Sequence, residues 1–140
     1  MDWTLEVILI PVTDVDRAKA FYADQLGFRV DVDHRGGDAF RVVQLTPPGS
    51  ACSISMGVGI TDAVPGSVRG THLVVADIEA AHAHLVGAGV DCSGITHFED
   101  GAMVDGPDPQ RSDFASFVHF ADPDGNTWAV QEVTSRGRKP

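Results

Sequence analysis

The feature that most constrains this sequence is a short segment that occurs twice. Residues 12–18 (VTDVDRA) resemble residues 75–81 (VADIEAA), 63 positions later. Each copy follows a run of strand-forming residues, Leu5–Val12 in the first and Thr71–Val75 in the second, and leads into apolar residues at helical spacing. A repeat of this kind predicts a duplicated structural module.

Both copies carry the signals that begin and end a helix. Asp14 and Asp77 are well suited to accept hydrogen bonds from the free amides of a first helical turn. Gly27 and Gly89 follow the helical pattern, and glycine readily adopts the left-handed conformation that ends a helix. Each half of the chain is therefore predicted to contain a strand followed by a capped helix.

Further strands are predicted after each helix, separated by residues typical of turns. Asp122-Pro123-Asp124-Gly125 predicts a tight turn that joins the last two strands. The glycine- and proline-rich stretch 99–113 predicts a long mobile loop that acts as a lid. The predicted strands are Phe28–His34, Ala39–Thr46, Ala51–Met56, Val90–Phe98, Ala115–Ala121 and Thr127–Val133.

We accordingly predict an α+β fold of two βαβββ modules in a single domain that spans residues 1–140. Module one covers about 4–57, a linker about 58–68, module two about 69–134, and a flexible tail 135–140.

Charge and composition exclude several classes of partner. The formal net charge of −10 argues against nucleic acid, which requires a concentrated basic surface. It favours a cationic ligand or simply keeps the protein soluble. No apolar stretch approaches the roughly 20 residues of a membrane helix. Two cysteines and an N-terminus without a secretory pattern predict a cytoplasmic location.

Two motifs at opposite ends of the chain resemble those of the vicinal oxygen chelate superfamily of glyoxalases, bleomycin resistance proteins and extradiol dioxygenases. The first is 12–18 with Phe21-Tyr22 and Leu26-Gly27-Phe28, and the second is 120–126 (FADPDGN). The resemblance covers about residues 4–134. It implies paired βαβββ modules whose strands curve into a cup around a small-molecule ligand, and it implies a homodimer.

The resemblance also implies where a metal would bind. Metal-dependent members take ligands from the first strand of each module and a glutamate from the last strand. These positions fall on Val7, Gly70 and Ala129, with a fourth near Ser53 or Ser55. The first three side chains have no donor atom, and hydroxyls are poor sole ligands. We therefore predict no cofactor and no metal at the usual positions.

A shifted metal site is the alternative, so a divalent metal is not excluded. A bulge that turned Glu6 or Glu132 inward would create one. His72, His97 and His119 would create another if they met.

Side chains two apart on a strand share a face, which extends the predicted ligand pocket beyond these positions. His72 is the candidate catalytic residue because imidazole exchanges protons near neutral pH, with a core histidine bonded to backbone as the alternative. Arg41 and Arg111 are predicted to form salt bridges rather than to contact anions. The predicted pocket consists of Val7, Leu9, Ser53, Ser55, Gly70, His72, His119, Thr127, Ala129 and Gln131.

Three functions are compatible with this pocket. We favour a metal-free protein that binds a small molecule, such as an antibiotic that it sequesters. The alternative is a glyoxalase-like lyase or isomerase, or a dioxygenase, with a non-standard metal site or with His72 as base. The third is an interaction module whose pocket has lost its role. Fold alone does not choose among them.

Overall fold

The computed structural model describes residues 1–137, and the chain divides into two compact units. The first unit comprises Met1–Val68 and Asp122–Asn126, and the second comprises Arg69–Ala121 and the chain from Thr127 onward. Each unit contains its own open, mixed β-sheet. The predicted α+β fold with two related modules is confirmed. Within the described residues, no helix has the length and apolar character needed to span a membrane.

The first unit follows the predicted order of one strand, one helix and three strands. Its sheet has the order β1-β4-β3-β2, in which β1 runs parallel to β4 and the other pairs are antiparallel. A π-helical turn, Phe21–Gln25, continues the helix. The elements are β1 (Val7–Leu9), α1 (Val15–Ala20), β2 (Arg29–Arg35), β3 (Arg41–Thr46) and β4 (Ser53–Val58).

The predicted signals set the ends of this first helix. The Asp14 carboxylate accepts a hydrogen bond from the Arg17 amide at 3.0 Å, as an N-cap does. Gly27 adopts a φ of +83° where the chain leaves the helix. The Arg41 guanidinium, on β3, reaches Asp16 of α1 at 2.7 Å. This contact identifies the face of the first sheet that is turned toward the helix.

The predicted turn between the last two strands is confirmed and belongs to the first unit. The Asp122 carboxylate accepts hydrogen bonds from the amides of Asp124 and Asn126 at 3.0 and 2.9 Å. It also accepts one from the Tyr22 hydroxyl at 2.7 Å. A Cβ atom on Gly66 would lie 2.3 Å from the Asp124 carbonyl oxygen, so this contact requires glycine. The turn is therefore a fixed packing element rather than a mobile connection.

Replacing Tyr22 by Phe tests how much this buried hydrogen bond contributes. Tyr22 is fully buried, and its hydroxyl is one donor to the Asp122 carboxylate. Tyr22→Phe keeps the ring but leaves one carboxylate oxygen with fewer donors. We expect urea unfolding to show a loss of about 1–2 kcal/mol. An unchanged unfolding midpoint would mean that the bond contributes nothing to stability.

The second unit repeats the first with one additional strand. Its sheet has the order β5-β9-β8-β6-β7, and the β5/β9 pair is parallel. The helix begins at Asp77, whose carboxylate accepts from the Glu79 and Ala80 amides at 3.0 and 3.3 Å. The elements are β5 (Thr71–Val75), α2 (Ile78–Gly87), β6 (Thr96–Glu99), β7 (Ala102–Asp105), β8 (Ser116–Ala121) and β9 (Thr127–Glu132).

One face of the second sheet is turned toward α2. Glu132 shows this, because its carboxylate accepts the Ile78 amide of that helix at 2.8 Å. Trp128 shares the face, is 2% exposed and stacks on Phe120 with a ring-centroid distance of 6.3 Å. Both aromatic rings therefore belong to the core of this unit.

Two predictions for this unit are wrong. The strand predicted from Val90 begins only at Thr96, and the predicted loop 99–113 contains β7. Asp100 and Gly101 have φ values of +50° and +80° and connect the paired residues Glu99 and Ala102. This is the backbone of a two-residue hairpin turn, for which Asp-Gly is a favoured sequence. Gly101, one of the glycines on which the loop prediction rested, thus lies in a hairpin turn.

The tail of the chain forms a short element where it is described. A 3-10 helix covers Thr134–Gly137, so the predicted tail 135–140 begins inside it. Residues 138–140 lie outside the described residues.

Candidate functional site

In the first unit, four of the predicted site residues lie on one face of the sheet. Val7 pairs with Ser53 and Leu9 with Ser55, so alternation places all four on the face opposite α1. Val7 and Leu9 are 37% and 41% exposed, whereas both serines are buried. The Ser53 hydroxyl lies 2.6 Å from that of Thr46, which also bonds the Asp31 carboxylate. Ser53 is thus already engaged within the unit.

In the second unit, the remaining predicted residues meet on the face opposite α2. We name its central part the Phe117 face. His72 and His119 both pair with Ala129, one on each side of it. Phe117 pairs with Gln131 on one side and with Thr96 on the other. The Phe117 face consists of His72, Thr96, Phe117, His119, Ala129 and Gln131.

Aromatic and imidazole rings dominate the Phe117 face. The Phe117 ring lies 6.4 Å from the His72 ring at an angle of 89° and 6.0 Å from the His119 ring at 12°. Edge-to-face and stacked arrangements of this kind are attractive for π systems. Ala129, between the two histidines, offers only a methyl group and is 4% exposed. The three rings therefore stand near a small, buried apolar side chain.

His72 has a defined tautomer in this arrangement. Its Nδ1 atom lies 2.7 Å from the Gly70 carbonyl oxygen, which can only accept. Nδ1 therefore carries the proton, and in the neutral ring the lone pair resides on Nε2. His72 thus has the hydrogen bond to backbone that is expected of a structural histidine, and its Nε2 atom is still able to accept a proton or a hydrogen bond.

Gly70 and Thr127 form a backbone anchor beside this face. The Gly70 amide donates to both oxygens of Thr127, with distances of 2.8 Å to the hydroxyl and 3.1 Å to the carbonyl. Gly70 has a φ of +73°, a conformation that side chains other than glycine rarely adopt. A glycine in the left-handed conformation therefore stands where the resemblance implies a metal ligand.

The residues at the implied metal positions do not fit a divalent ion. Val7 in the first unit and Gly70 and Ala129 in the second have no donor atom in their side chains. Glu132 lies on the α2 side of an uninterrupted β9 register, so no bulge turns it toward Ala129. Glu6 precedes β1 and is exposed.

The histidines do not supply a substitute site. His97 pairs with Ser116, which is the neighbour of Phe117 on β8 and therefore points to the opposite face of the sheet. His97 thus faces away from His72 and His119. The prediction that these three histidines could meet is wrong. Within residues 1–137, no group of three or more His, Cys, Asp or Glu side chains is arranged to hold a metal.

Both arginines with a predicted salt-bridge role form ion pairs. Arg41 lies 3.0 Å from Asp33 and 2.7 Å from Asp16. Hydrogen bonds from Arg41, and to a smaller extent from Lys19, hold the pKa of Asp33 well below its usual range. Arg111 contacts the carboxylates of Glu132, Asp77 and Glu79 at 2.5, 3.2 and 2.6 Å. The predicted lid is tied to the sheet and helix by this arginine.

His97 occupies a buried position beside the β6/β7 hairpin. Its Nδ1 lies 2.7 Å from the Gly106 carbonyl oxygen, and its Nε2 lies 3.0 Å from the Glu99 carboxylate. Both partners are acceptors, so only the doubly protonated ring satisfies both bonds. The Gly106 bond, the Glu99 bond and the nearby charges of Glu99 and Asp108 raise the pKa of His97 above its ordinary value.

This arrangement predicts a pH-dependent contribution to stability. The pKa of His97 is raised in the folded protein, so its stabilising effect is complete below the unfolded value of 6.5. It is lost as the pH rises through the higher folded value. We expect the free energy of unfolding of the native protein to exceed that of His97→Gln by more at about pH 6 than at about pH 8.5. An equal difference at both pH values would contradict the assignment.

Two residues of the Phe117 face are absent from the predicted pocket. Phe117 could have been predicted from the sequence, because it lies two residues before His119 on one strand and therefore shares its face. Thr96 could not, because its position depends on where β6 begins and which residue it pairs with. Thr46 and Asp31 in the first unit similarly come together through strand pairing.

Comparison with known proteins identifies similar sequences and structures. The model of the Glyoxalase/Bleomycin resistance protein/Dioxygenase superfamily matches residues 4–130. The crystal structure of TnmS3, an antibiotic binding protein from Streptomyces sp. CB03234, has a TM-score of 0.73 and 28% identity, and the match covers 94% of this chain and 97% of that chain.

Two further structures are comparably similar. A glyoxalase/bleomycin resistance protein from the same Streptomyces strain has a TM-score of 0.70 and 29% identity over 92% of this chain and 100% of that one. A superfamily member from Sphaerobacter thermophilus DSM 20745 has a TM-score of 0.72 and 25% identity, covering 94% and 98%. No curated protein matches the sequence.

Proposed function

Because this chain belongs to the glyoxalase/bleomycin resistance protein/dioxygenase superfamily, we propose that it binds a small planar aromatic molecule on the Phe117 face. The observation that carries this proposal is that the Phe117 ring lies 6.4 Å from the His72 ring and 6.0 Å from the His119 ring. Binding without chemical conversion is the function that this arrangement supports best.

The physical case rests on what such a face offers a ligand. Stacked aromatic pairs contribute about 0.5–1.5 kcal/mol beyond the burial of their surface. Ligand sites combine a mostly apolar lining with a few polar groups that fix orientation. Phe117 and Ala129 supply the apolar part, and His72, His119 and Gln131 supply polar atoms around it. Few rotatable bonds in these rings keep the entropy cost of binding low.

An antibiotic is a reasonable class of ligand. TnmS3, which is similar to this chain over almost its whole length, is described as an antibiotic binding protein. The net charge of −10 favours a cationic or neutral compound over an anionic one, since long-range attraction raises the local concentration of cations.

We further propose that binding requires neither a metal nor another cofactor. The support is the donor chemistry at Val7, Gly70 and Ala129, none of which ligates through its side chain. A metal-dependent mode of ligand binding would lose affinity in a chelator, whereas the proposed mode would not.

Calorimetric titration with bleomycin and with 9-aminoacridine, a planar cation, tests the proposal. We expect at least one to bind, and Phe117→Ala to weaken binding about tenfold, because the central ring of the platform is lost. A chelator should leave the affinity unchanged. His84→Ala, on the exposed surface of α2, is the matched control and should bind as the native protein does. Absence of binding, or native affinity in Phe117→Ala, would refute the proposal.

A second candidate function rests on His72. Its Nδ1–H is held by the Gly70 carbonyl, which leaves Nε2 as a proton acceptor on the Phe117 face. An enzyme that uses this base would show lyase, isomerase or dioxygenase activity that disappears in His72→Ala. An unchanged rate in that variant would remove His72 from the mechanism.

We also propose that the chain forms a homodimer, as its family resemblance implies, and that it works in the cytoplasm, as its low cysteine content predicts. Light scattering of the purified protein measures the oligomeric state directly, and a monomer would contradict this part of the proposal.

A further inference from the structure

A carboxylate lies in the same row of the second sheet as the Phe117 ring. Thr96 of β6 pairs with Phe117 of β8 on one side and with Asp105 of β7 on the other. Directly paired residues of antiparallel strands share a face, so Asp105 stands on the face that carries Phe117. Neighbouring strands lie about 4.8 Å apart, which places Asp105 about 10 Å from Phe117 across the sheet. One small molecule can therefore span the ring and the carboxylate.

Asp105 is the only carboxylate on this side of the sheet. Alternation along each strand identifies the other side chains that share the face. Among the described residues of the five strands, no other Asp or Glu and no Lys or Arg occupies such a position. Beyond the Phe117 face itself, the strands contribute Val74, Phe98, Met103, Ala121 and Thr127.

The Asp105 side chain is exposed, and the fold does not use it. Within residues 1–137, its carboxylate forms no hydrogen bond or ion pair. The nearby Glu99 carboxylate, by contrast, is bonded to His97 at 3.0 Å. Aspartate is depleted in β-strands, so the strand conformation does not account for it either. Two roles are left for Asp105, which are contact with a ligand and protection of the edge strand β7 from pairing with another chain.

The charge on this face favours a cation. Because the strands place no Lys or Arg there, no neighbouring cation on the sheet neutralises the Asp105 carboxylate. The net charge of −10 adds a long-range attraction of the same sign, but it acts at no particular place. A ligand whose rings lie on Phe117 would gain a local charge pair only if its cationic group extended toward β7.

We propose that the ligand is a planar aromatic compound with a cationic amine on a flexible arm, and that Asp105 is a specificity-determining residue that pairs with this amine. The inference rests on the proposed function of the Phe117 face and narrows its ligand class. It assigns the selection of charge to one side chain instead of to the protein as a whole.

Two matched probes test this class: 4-(2-naphthyl)butylamine and 4-(2-naphthyl)butan-1-ol, which has the same rings and arm without the charge. In calorimetric titrations at low ionic strength, the native protein should bind the amine about fivefold more tightly than the alcohol, as one exposed charge pair allows. Asp105→Asn should remove most of this preference by weakening binding of the amine. Added salt should reduce the preference in the native protein more than in the variant.

Asp62→Asn is the control that separates Asp105 from the net charge. Asp62 is exposed and lies outside every strand and helix, and its replacement changes the net charge by the same amount. This variant should keep the native preference for the amine. Asp105→Glu, which retains a carboxylate, should keep it as well. An equal loss of preference in Asp62→Asn and Asp105→Asn would assign the effect to the overall charge and overturn the inference.

The remaining outcomes separate failure of the inference from failure of the platform. Equal binding of amine and alcohol, with both weakened by Phe117→Ala, leaves the platform in place and removes the charge selection. An undiminished preference in Asp105→Asn leaves protection of the edge strand as the role of this residue. Native affinity for both probes in Phe117→Ala refutes the platform and the inference with it. If neither probe binds the native protein, both fail for this ligand class.

Discussion

Arg111→Ala is expected to destabilise the protein by about 3 kcal/mol, because it leaves the carboxylate of Glu132 buried without its cationic partner. Glu132 is fully buried, and Arg111 lies 2.9 and 2.5 Å from its two oxygens. The Ile78 amide also donates to this carboxylate. Hydrogen bonds from Arg111 lower the pKa of Glu132 despite its burial. Equilibrium unfolding in urea measures the loss.

A double variant separates the cost of the unpaired buried charge from the cost of losing the packing of the arginine side chain. Arg111→Met combined with Glu132→Gln removes both charges and keeps similar volumes, so it should recover much of the stability that Arg111→Met alone loses. Arg29→Ala, which removes an exposed partner of Asp31, serves as the control and should cost well under about 1 kcal/mol. Equal effects of Arg111→Ala and Arg29→Ala would contradict the account.

Gly57→Ala is expected to be comparably damaging for a steric reason. A Cβ atom at Gly57 would lie 1.8 Å from the Arg41 carbonyl oxygen and 2.8 Å from the Arg41 carbonyl carbon. Both atoms belong to the backbone of β3, so relief requires a shift of the β3/β4 pairing. We expect a loss of about 3 kcal/mol or more in the free energy of unfolding.

Gly87→Ala is the matched control for that substitution. Gly87 lies in α2, and a Cβ atom there would meet nothing within 4 Å. Because alanine favours the helix over glycine, this variant should be stabilised by about 0.5 kcal/mol. The urea midpoints of the two variants should therefore move in opposite directions. A small effect of Gly57→Ala would mean that β3 and β4 are farther apart than described.

Local signals in the sequence were sufficient for the helix starts and the last hairpin. Asp14 and Asp77 cap their helices through contacts within three residues, so the chain carries that information locally. The Asp122-Pro123-Asp124-Gly125 turn is equally local in its dihedral requirements. The β6/β7 hairpin was also within reach, since Asp100-Gly101 is a favoured turn pair flanked by apolar residues.

Long-range pairing could not be predicted in the same way. Arg111 and Glu132 are 21 residues apart, and nothing local says that this arginine contacts that carboxylate. The pairing of Thr96 with Phe117 depends on the register of two strands, and a shift of one residue would move Thr96 to the other face. Thr96 was missed because its position depends on this register, whereas Phe117 could have been predicted from its place two residues before His119.

The central claim is that the Phe117 face binds planar aromatic molecules, and NMR titration tests it most directly. The ring currents of a stacked ligand change the chemical shifts of nearby protein nuclei. When 9-aminoacridine is added to isotope-labelled protein, the residues with changed shifts therefore mark its binding site. We expect the largest shifts to fall on His72, Thr96, Phe117, Ala129 and Gln131 and to saturate together. Shifts concentrated elsewhere in the chain, or no shifts at concentrations where the ligand binds, would contradict it.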